Sequence, residues 1–288
     1  MRSHGAGGLL ATIRWLVMYV FGRVVVVRRL SRWLGRRSDT AGTDPPSVFG
    51  RVDFGELVAC LREDGVDASL RLPAPTAERL ITAATRIAMP QAYPSAEAPA
   101  DPEIDALGAD AALLEIASRY LGRPPAYAGC RVWWLGDASA SEPLSSGTRF
   151  HYDLYDYSAV AFLCFLSDVA EDAGSHSCVR ASHRRRRWRD QIRATRHRSD
   201  AEVIAAYGAD RIVTIAGPAG TVIAEDPFCF HRARPTSGGR RLTLQFLYAA
   251  RDFPMPSFRR ITMAAGGSPA PDKGSAAKPR GSRTPAST

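Results

Sequence analysis

The apolar opening of this sequence has no uncharged run near the ~20 residues that a membrane-spanning helix needs. Arg14 and Arg23 leave only residues 15–22 uncharged between them. No acidic residue precedes Asp39. The five cysteines, Cys60, Cys130, Cys164, Cys178 and Cys229, are odd in number and none are spaced as CxxC. That argues against a disulfide framework and a CxxC metal or redox site, and is read as reduced thiols in a reducing compartment. Cys164 lies in an apolar run and is expected to be a small core residue. Residues 264–288 have no aromatic and no branched aliphatic side chain, so they cannot bury enough apolar surface to offset the entropy of ordering. No internal repeat is visible.

The formal net charge is +9, but the excess sits in the first 40 residues and in 180–198, and the remainder is nearly balanced. The run RRRRWRDQIRATRHR (184–198) could meet phosphate, nucleic acid or anionic lipid. No nucleic-acid-binding signature accompanies it, so it is read as a solvated helix face on an inserted connection, and nucleic acid is not the expected partner. The chain divides into a basic arm and linker (1–47), one folded domain (48–255) and a disordered tail (264–288).

Residues 9–34 read as a basic amphipathic helix. Leu9, Ile13, Leu16, Val20, Val24, Val27 and Leu34 share one face, with Arg14, Arg28, Arg29, Arg32 and Arg36 roughly opposite. Three readings fit: peripheral membrane contact, docking of the apolar face on the domain or a second subunit, and an Arg-rich targeting segment. Membrane contact is the working hypothesis, which makes the expected location cytoplasmic, at or near a membrane. Oligomeric state is not legible.

Residues 54–62, 77–87 and 103–121 show helical spacing and are expected to support a sheet without chemistry of their own. From Pro125 the pattern changes to short apolar or alternating runs broken by Gly, Pro, Asp and Ser. Many short strands with turn signals imply a sandwich or barrel.

One run, FHYDLYDYSAVAFLCFLSDV (150–169), reads as strand-like yet opens with His151 and Asp153. Side chains two apart in a strand share a face, so these two converge. After residue 200 there is a single histidine, His231 in DPFCFHRARP. Two imidazoles and a carboxylate on one face leave open positions on an octahedral ion, which suits non-haem Fe(II); zinc would leave only one. Ten residues on, Arg241 lies in RRLTLQF, where alternation groups it with Thr243 and Gln245 against Leu242, Leu244 and Phe246. A guanidinium and a hydroxyl two apart form a clamp for a carboxylate.

These segments, with FLSDVAEDAGSHSCVRASH, GPAGTVIAEDPFCFH and the upstream LREDGVDASLRLPAPTAERL, resemble the phytanoyl-CoA dioxygenase-like family of Fe(II)- and 2-oxoglutarate-dependent oxygenases over roughly residues 54–250. The resemblance implies a mainly β fold with flanking helices, a double-stranded β-helix of the jelly-roll or cupin type. It implies Fe(II) on His151, Asp153 and His231, with 2-oxoglutarate held by Arg241 and Thr243 and O2 as co-reactant. The product side would be succinate, CO2 and a hydroxylated small-molecule or lipid-linked substrate. Asp153 stands where an Ala or Gly would suggest halogenation. Three departures are visible: Gly174-Ser175 for the usual GP, Ala181-Ser182-His183 for GSH, and Ala161 where many relatives carry lysine.

Trp133, Tyr155 and Tyr157 are candidates for the substrate pocket, the tyrosines near its mouth. His176 and His183 lie on the inserted region and could approach the site, although loop histidines are usually just solvated. Two rival readings remain: a non-catalytic basic binding protein on the same barrel, and another metal-dependent cupin-type enzyme, a lyase or isomerase.

Overall fold

The computed structural model describes residues 6–35, 46–87, 100–136, 146–172, 174–193, 195–234, 240–253 and 259–261. The tail (264–288) and most of the linker (36–45) lie outside them.

The helices form where apolar spacing and a cap coincide. In α3 (Phe54–Glu63) the Asp53 carboxylate accepts the Glu56 N–H, and Phe54, Leu57, Val58 and Leu61 are buried on one face. Helix α4 (Ala74–Ile87) buries Ala77, Leu80, Ala83 and Ala84. The stretch expected as one helix over 103–121 is two, α5 (Pro102–Gly108) and α6 (Ala111–Leu121). Asp110 breaks it: its carboxylate accepts the Ala112 N–H at 2.9 Å and also holds Ser47 Oγ at 2.7 Å. An aspartate that satisfies a fresh helix start is worth more as a cap than as an interior residue.

Strands β1 (Val66–Arg71), β2 (Tyr127–Leu135), β3 (Ala159–Phe165), β6 (Thr221–Glu225), β8 (Arg241–Ala249) and β9 (Arg259–Arg260) form one antiparallel sheet in the order β1-β6-β3-β8-β2-β9. The second sheet is β5 (Ile212–Ile215), β4 (His176–Val179) and β7 (His231–Ala233), in the order β5-β4-β7. Strand β1 was not expected, although Val66, Ala68 and Leu70 alternate with Asp67, Ser69 and Arg71; it pairs with β6 in an irregular register. Gly65 precedes it at φ +82°, and a Cβ there would run into Cys229 and His183.

Alternation sorts the large sheet into two faces. Val160, Phe162, Cys164, Leu242, Leu244, Phe246 and Tyr248 pack under α3–α6. Ala159, Ala161, Leu163, Phe165, Leu247 and Ala249 face inward, with Cys178 of the small sheet and partly buried Val213 and Ile215 beside them. The fold is mainly β with flanking helices, the double-stranded β-helix arrangement. All five cysteines are free thiols, and Cys164 is a core residue.

Two expectations need correction. Residues 150–169 are not one strand: His151 makes an isolated bridge, 155–158 form a bend, and only then does β3 begin. The bend follows from Asp156, whose buried carboxylate accepts the N–H of Tyr157 at 2.5 Å and of Arg251 at 2.7 Å. The arm is also two helices, α1 (Ala6–Phe21) and α2 (Val25–Gly35); α1 docks through buried Met18 and partly buried Tyr19, α2 through Val25 and two arginines of its basic face. Arg28 is buried; it donates to the Asp156 carbonyl at 2.8 Å and lies 3.4 Å from Asp226. Arg32 donates to Asp226 at 2.7 Å and to Tyr120 Oη at 2.8 Å, and that hydroxyl donates to Asp226 at 2.6 Å.

Asp226 is fully buried. Burial alone would raise its pKa, but Arg28, Arg32, His183 and the Tyr120 hydrogen bond together push it well below the carboxylate range. Replacing Asp226 with Asn should cost about 3–5 kcal/mol in urea unfolding, because two guanidinium groups lose their counter-charge. The unfolded carboxylate takes up a proton near its ordinary pKa of ~3.9, the folded one only lower. The gap between wild type and D226N should therefore be full near neutrality and shrink as pH falls below about 4.

Candidate metal centre

His151 and His231 are paired through their backbones. His151 N donates to His231 O at 2.9 Å, and His231 N donates to His151 O at 2.8 Å. Phe150, Tyr152 and Leu154 alternate with His151 and Asp153 and are buried with Phe228 and Phe230. The two-residue period thus operates over 150–154 without a full strand, and it turns His151 and Asp153 to the side opposite this apolar cluster. Asp153 N donates to Pro227 O at 2.8 Å, which ties the acid to the segment leading into β7.

One ligand atom from each of His151, Asp153 and His231 lies within 4.8 Å of the other two. The Nδ1 of His151 is 2.9 Å from Arg149 O, and that of His231 is 3.0 Å from Cys229 O. A carbonyl oxygen only accepts, so both Nδ1 atoms carry the proton and both Nε2 lone pairs remain available. Burial, then His231, depresses the His151 pKa to about 4, so its imidazole is neutral at physiological pH. Burial works against ionisation of Asp153, yet His151, His231, Arg131 and Arg196 outweigh it and hold its pKa at about 2. Tyr155 Oη donates to Asp153 Oδ2 at 2.8 Å, and Arg196 lies 3.5 Å from Oδ1. Two imidazoles and one oriented carboxylate make a donor set that fits a divalent cation.

The inward row of β8 is Arg241, Thr243 and Gln245, as alternation predicts. Thr243 stands in register with Trp133 on β2 and Phe165 on β3. Arg241 is buried, donates to the Gly174 carbonyl and lies over the Phe165 ring at 5.5 Å. The Thr243 hydroxyl is buried without a protein partner among the described residues. An orphaned buried hydroxyl beside a buried guanidinium suits an anionic ligand.

The aromatic candidates separate. Trp133 is buried on the face of Thr243, with the Arg131 guanidinium 4.9 Å from its ring. Tyr155 touches the proposed ligand Asp153 itself. Tyr157 sits instead with Arg251, whose guanidinium lies 5.1 Å from its ring.

Several groups around the centre escaped the sequence reading. His176 is buried, not solvated: its Nε2 is 2.8 Å from Glu225 Oε2, and its ring stacks 5.7 Å from that of His231. His183 is buried too, with Nδ1 3.3 Å from Cys229 Sγ. Arg131 donates to Gln245 at 2.6 Å. The basic segment is not simply a solvated face. Arg186 is buried against the rings of Tyr152, Phe228 and Phe230 at 3.9, 3.8 and 4.4 Å, and the His197 ring is 5.8 Å from His151. Of the departures, Ala181 takes φ 60°, a left-handed conformation in which glycine is at ease. Ser182 keeps a structural bond, its Oγ accepting Phe230 N at 2.8 Å.

Comparison with curated proteins finds no match. Among solved structures, the chain is similar to the non-heme alpha ketoglutarate dependent epimerase SnoN from nogalamycin biosynthesis: TM-score 0.48, 16% identity, 68% of this chain and 82% of that one. It is similar to AviO1 from Streptomyces viridochromogenes Tue57: TM-score 0.48, 19% identity, 72% and 99%. It is similar also to EctD from S. alaskensis with bound Fe: TM-score 0.49, 17% identity, 75% and 82%. The family model for phytanoyl-CoA dioxygenase (PhyH) matches residues 92–243, just over half of the chain, which therefore belongs to that family of 2-oxoglutarate-dependent non-haem iron oxygenases.

Proposed function

We propose that the protein is an Fe(II)- and 2-oxoglutarate-dependent hydroxylase in which His151, Asp153 and His231 hold the iron and Arg241 with Thr243 holds the distal carboxylate of the cosubstrate. The observation that carries this reading is the meeting of three ligand atoms within 4.8 Å, on a barrel whose inner row also bears a buried guanidinium and an orphaned hydroxyl. A lyase or isomerase site would have no need of that clamp or of dioxygen.

Bound iron, 2-oxoglutarate and O2 would supply oxidative decarboxylation to succinate and CO2, coupled to hydroxylation of a C–H bond. The chain's own residues do the positioning. The backbone carbonyls of Arg149 and Cys229 set both imidazole tautomers. Tyr155 and Arg196 orient the Asp153 carboxylate from outside the metal. Buried Glu225 and His176 satisfy each other's hydrogen bonding beside His231. Retention of Asp153 as a ligand favours hydroxylation over halogenation. The substrate is a small molecule, and exposed apolar helices in the arm favour a lipid-linked or membrane-near one.

Three outcomes test the reading. Purified protein with Fe(II) and 2-oxoglutarate under anaerobic conditions should develop a weak visible charge-transfer band, and D153A should lose both the band and succinate release. Succinate formation by D153A at the wild-type rate would overturn the ligand assignment. Arg241→Ala should raise the KM for 2-oxoglutarate about 10–100-fold, the equivalent of ~1.5–3 kcal/mol for a hydrogen bond to a charged group, with Fe(II) affinity changed little. Tyr155→Phe should weaken Fe(II) binding about 10–100-fold in an anaerobic titration, as loss of a group orienting a metal ligand does.

A further inference from the structure

The arm leaves the wrong face outside for a helix that packs on its own domain. On α1, Ile13, Leu16, Val17 and Val20 recur at helical spacing and are each about half exposed, at 49, 53, 45 and 52%. On α2, Val26, Leu30, Trp33 and Leu34 do the same at 69, 52, 68 and 69%. Neither helix hangs free. Met18 is fully buried, Tyr19 packs beside the Phe150–Phe230 cluster, and α2 is held by Arg28 and Arg32. The apolar stripes are thus held outward by a docked scaffold.

A third helix joins them. In α7 (Trp188–Ile192), Trp188 and Ile192 are one turn apart and 64 and 70% exposed. The elbow of the arm is bonded to this helix: Val25 N donates to Gln191 Oε1 at 2.9 Å, and Arg23 donates to Arg193 O at 3.3 Å. Exposed arginines accompany the apolar stripes, Arg14 and Arg29 on the arm and Arg189 on α7, whereas Arg193 just after it is paired with Glu202 at 2.6 Å. The sole acidic residue on the three helices, Asp190, is buried against Arg198.

We infer that α1, α2 and α7 together form a monotopic docking face for an anionic lipid bilayer. The apolar stripes would enter the acyl boundary and the arginines would meet the headgroup phosphates. Charge complementarity selects this occupant. A second copy of the chain would bring the same unneutralised arginines face to face, whereas an anionic surface neutralises them. No helix among the described residues is long and apolar enough to cross a membrane, so the contact is with one leaflet. Trp33 and Trp188 are side chains suited to the headgroup level. The face goes beyond the oxygenase assignment and does not rest on it, because binding is measured without turnover.

The test uses the full-length protein and sedimentation with vesicles of phosphatidylcholine alone or mixed with phosphatidylserine. Wild type should partition to the mixed vesicles, less so as salt rises, and bromine-labelled lipid should quench its tryptophan fluorescence. The double variant W33E/L34E and the single variant I192E alter exposed positions and should keep the wild-type melting temperature. Each should lower partitioning about tenfold or more. Wild type staying in the supernatant, or I192E and W33E/L34E binding as well as wild type, would overturn the proposal. So would a wild-type dimer, seen by sedimentation velocity without lipid, that W33E/L34E converts to monomer: the stripes would then be a self-association surface.

Discussion

The reciprocal backbone bonds between His151 and His231 are the constraint on which the centre depends. Eighty residues separate the two histidines, and nothing in their side chains brings them together. What does is an antiparallel bridge two hydrogen bonds wide, continuing the small sheet past β7. Such a short bridge would not persist alone. It is clamped from behind by Phe150, Tyr152, Phe228 and Phe230, which alternate with the functional residues and pack edge to face at 5.1 and 5.5 Å. Local period, apolar packing and ligand geometry are one arrangement viewed from two sides.

Behind that apolar cluster the protein places charge rather than more hydrocarbon. Arg186 stacks on three of the rings, and Arg28 lies 4.0 Å from the Phe228 ring while reaching Asp226. Burial lowers the Arg28 pKa to about 10, with Asp226 opposing the shift, so the guanidinium stays charged at neutral pH. Arg28, Arg32, Tyr120 and the Phe228 N–H all converge on one carboxylate five residues before His231. A basic composition that suggested an outward-facing partner is therefore partly internal structure. The arginines position the turn that carries a ligand, and only those left exposed are available to anything else.

The legible part of the fold was the part where periodicity and burial agree. Strand β8 shows it: Arg241, Thr243 and Gln245 inward, Leu242, Leu244 and Phe246 outward, as alternation requires. The triad was legible because its ligands are rare residue types in a fixed order. Bend 155–158 was not, because Asp156 acts through hydrogen bonds to the N–H groups of Tyr157 and Arg251, the latter ninety-five residues away. His176 and Glu225 were missed for a related reason. Each looks like an unremarkable polar residue until the fold opposes β4 and β6 and lets them hydrogen-bond at 2.8 Å. Arg186 and Arg198, read as solvated, are buried because aromatic faces and Asp190 wait for them.

The arm shows where periodicity is insufficient in principle. A helical wheel separates two faces but does not say which one meets the domain. Apolar burial is usually the stronger driving force, which is why docking by Leu and Val is the default expectation. Here the surface on offer is different: a buried carboxylate, a backbone carbonyl at Asp156 and a tyrosine hydroxyl, all acceptors. Acceptors buried under an aliphatic stripe would go unsatisfied, at ~1–3 kcal/mol each and more for the carboxylate. Arg28 and Arg32 satisfy them and leave the aliphatic stripe in water. The electrostatics of the domain surface therefore decide what the arm presents to the outside.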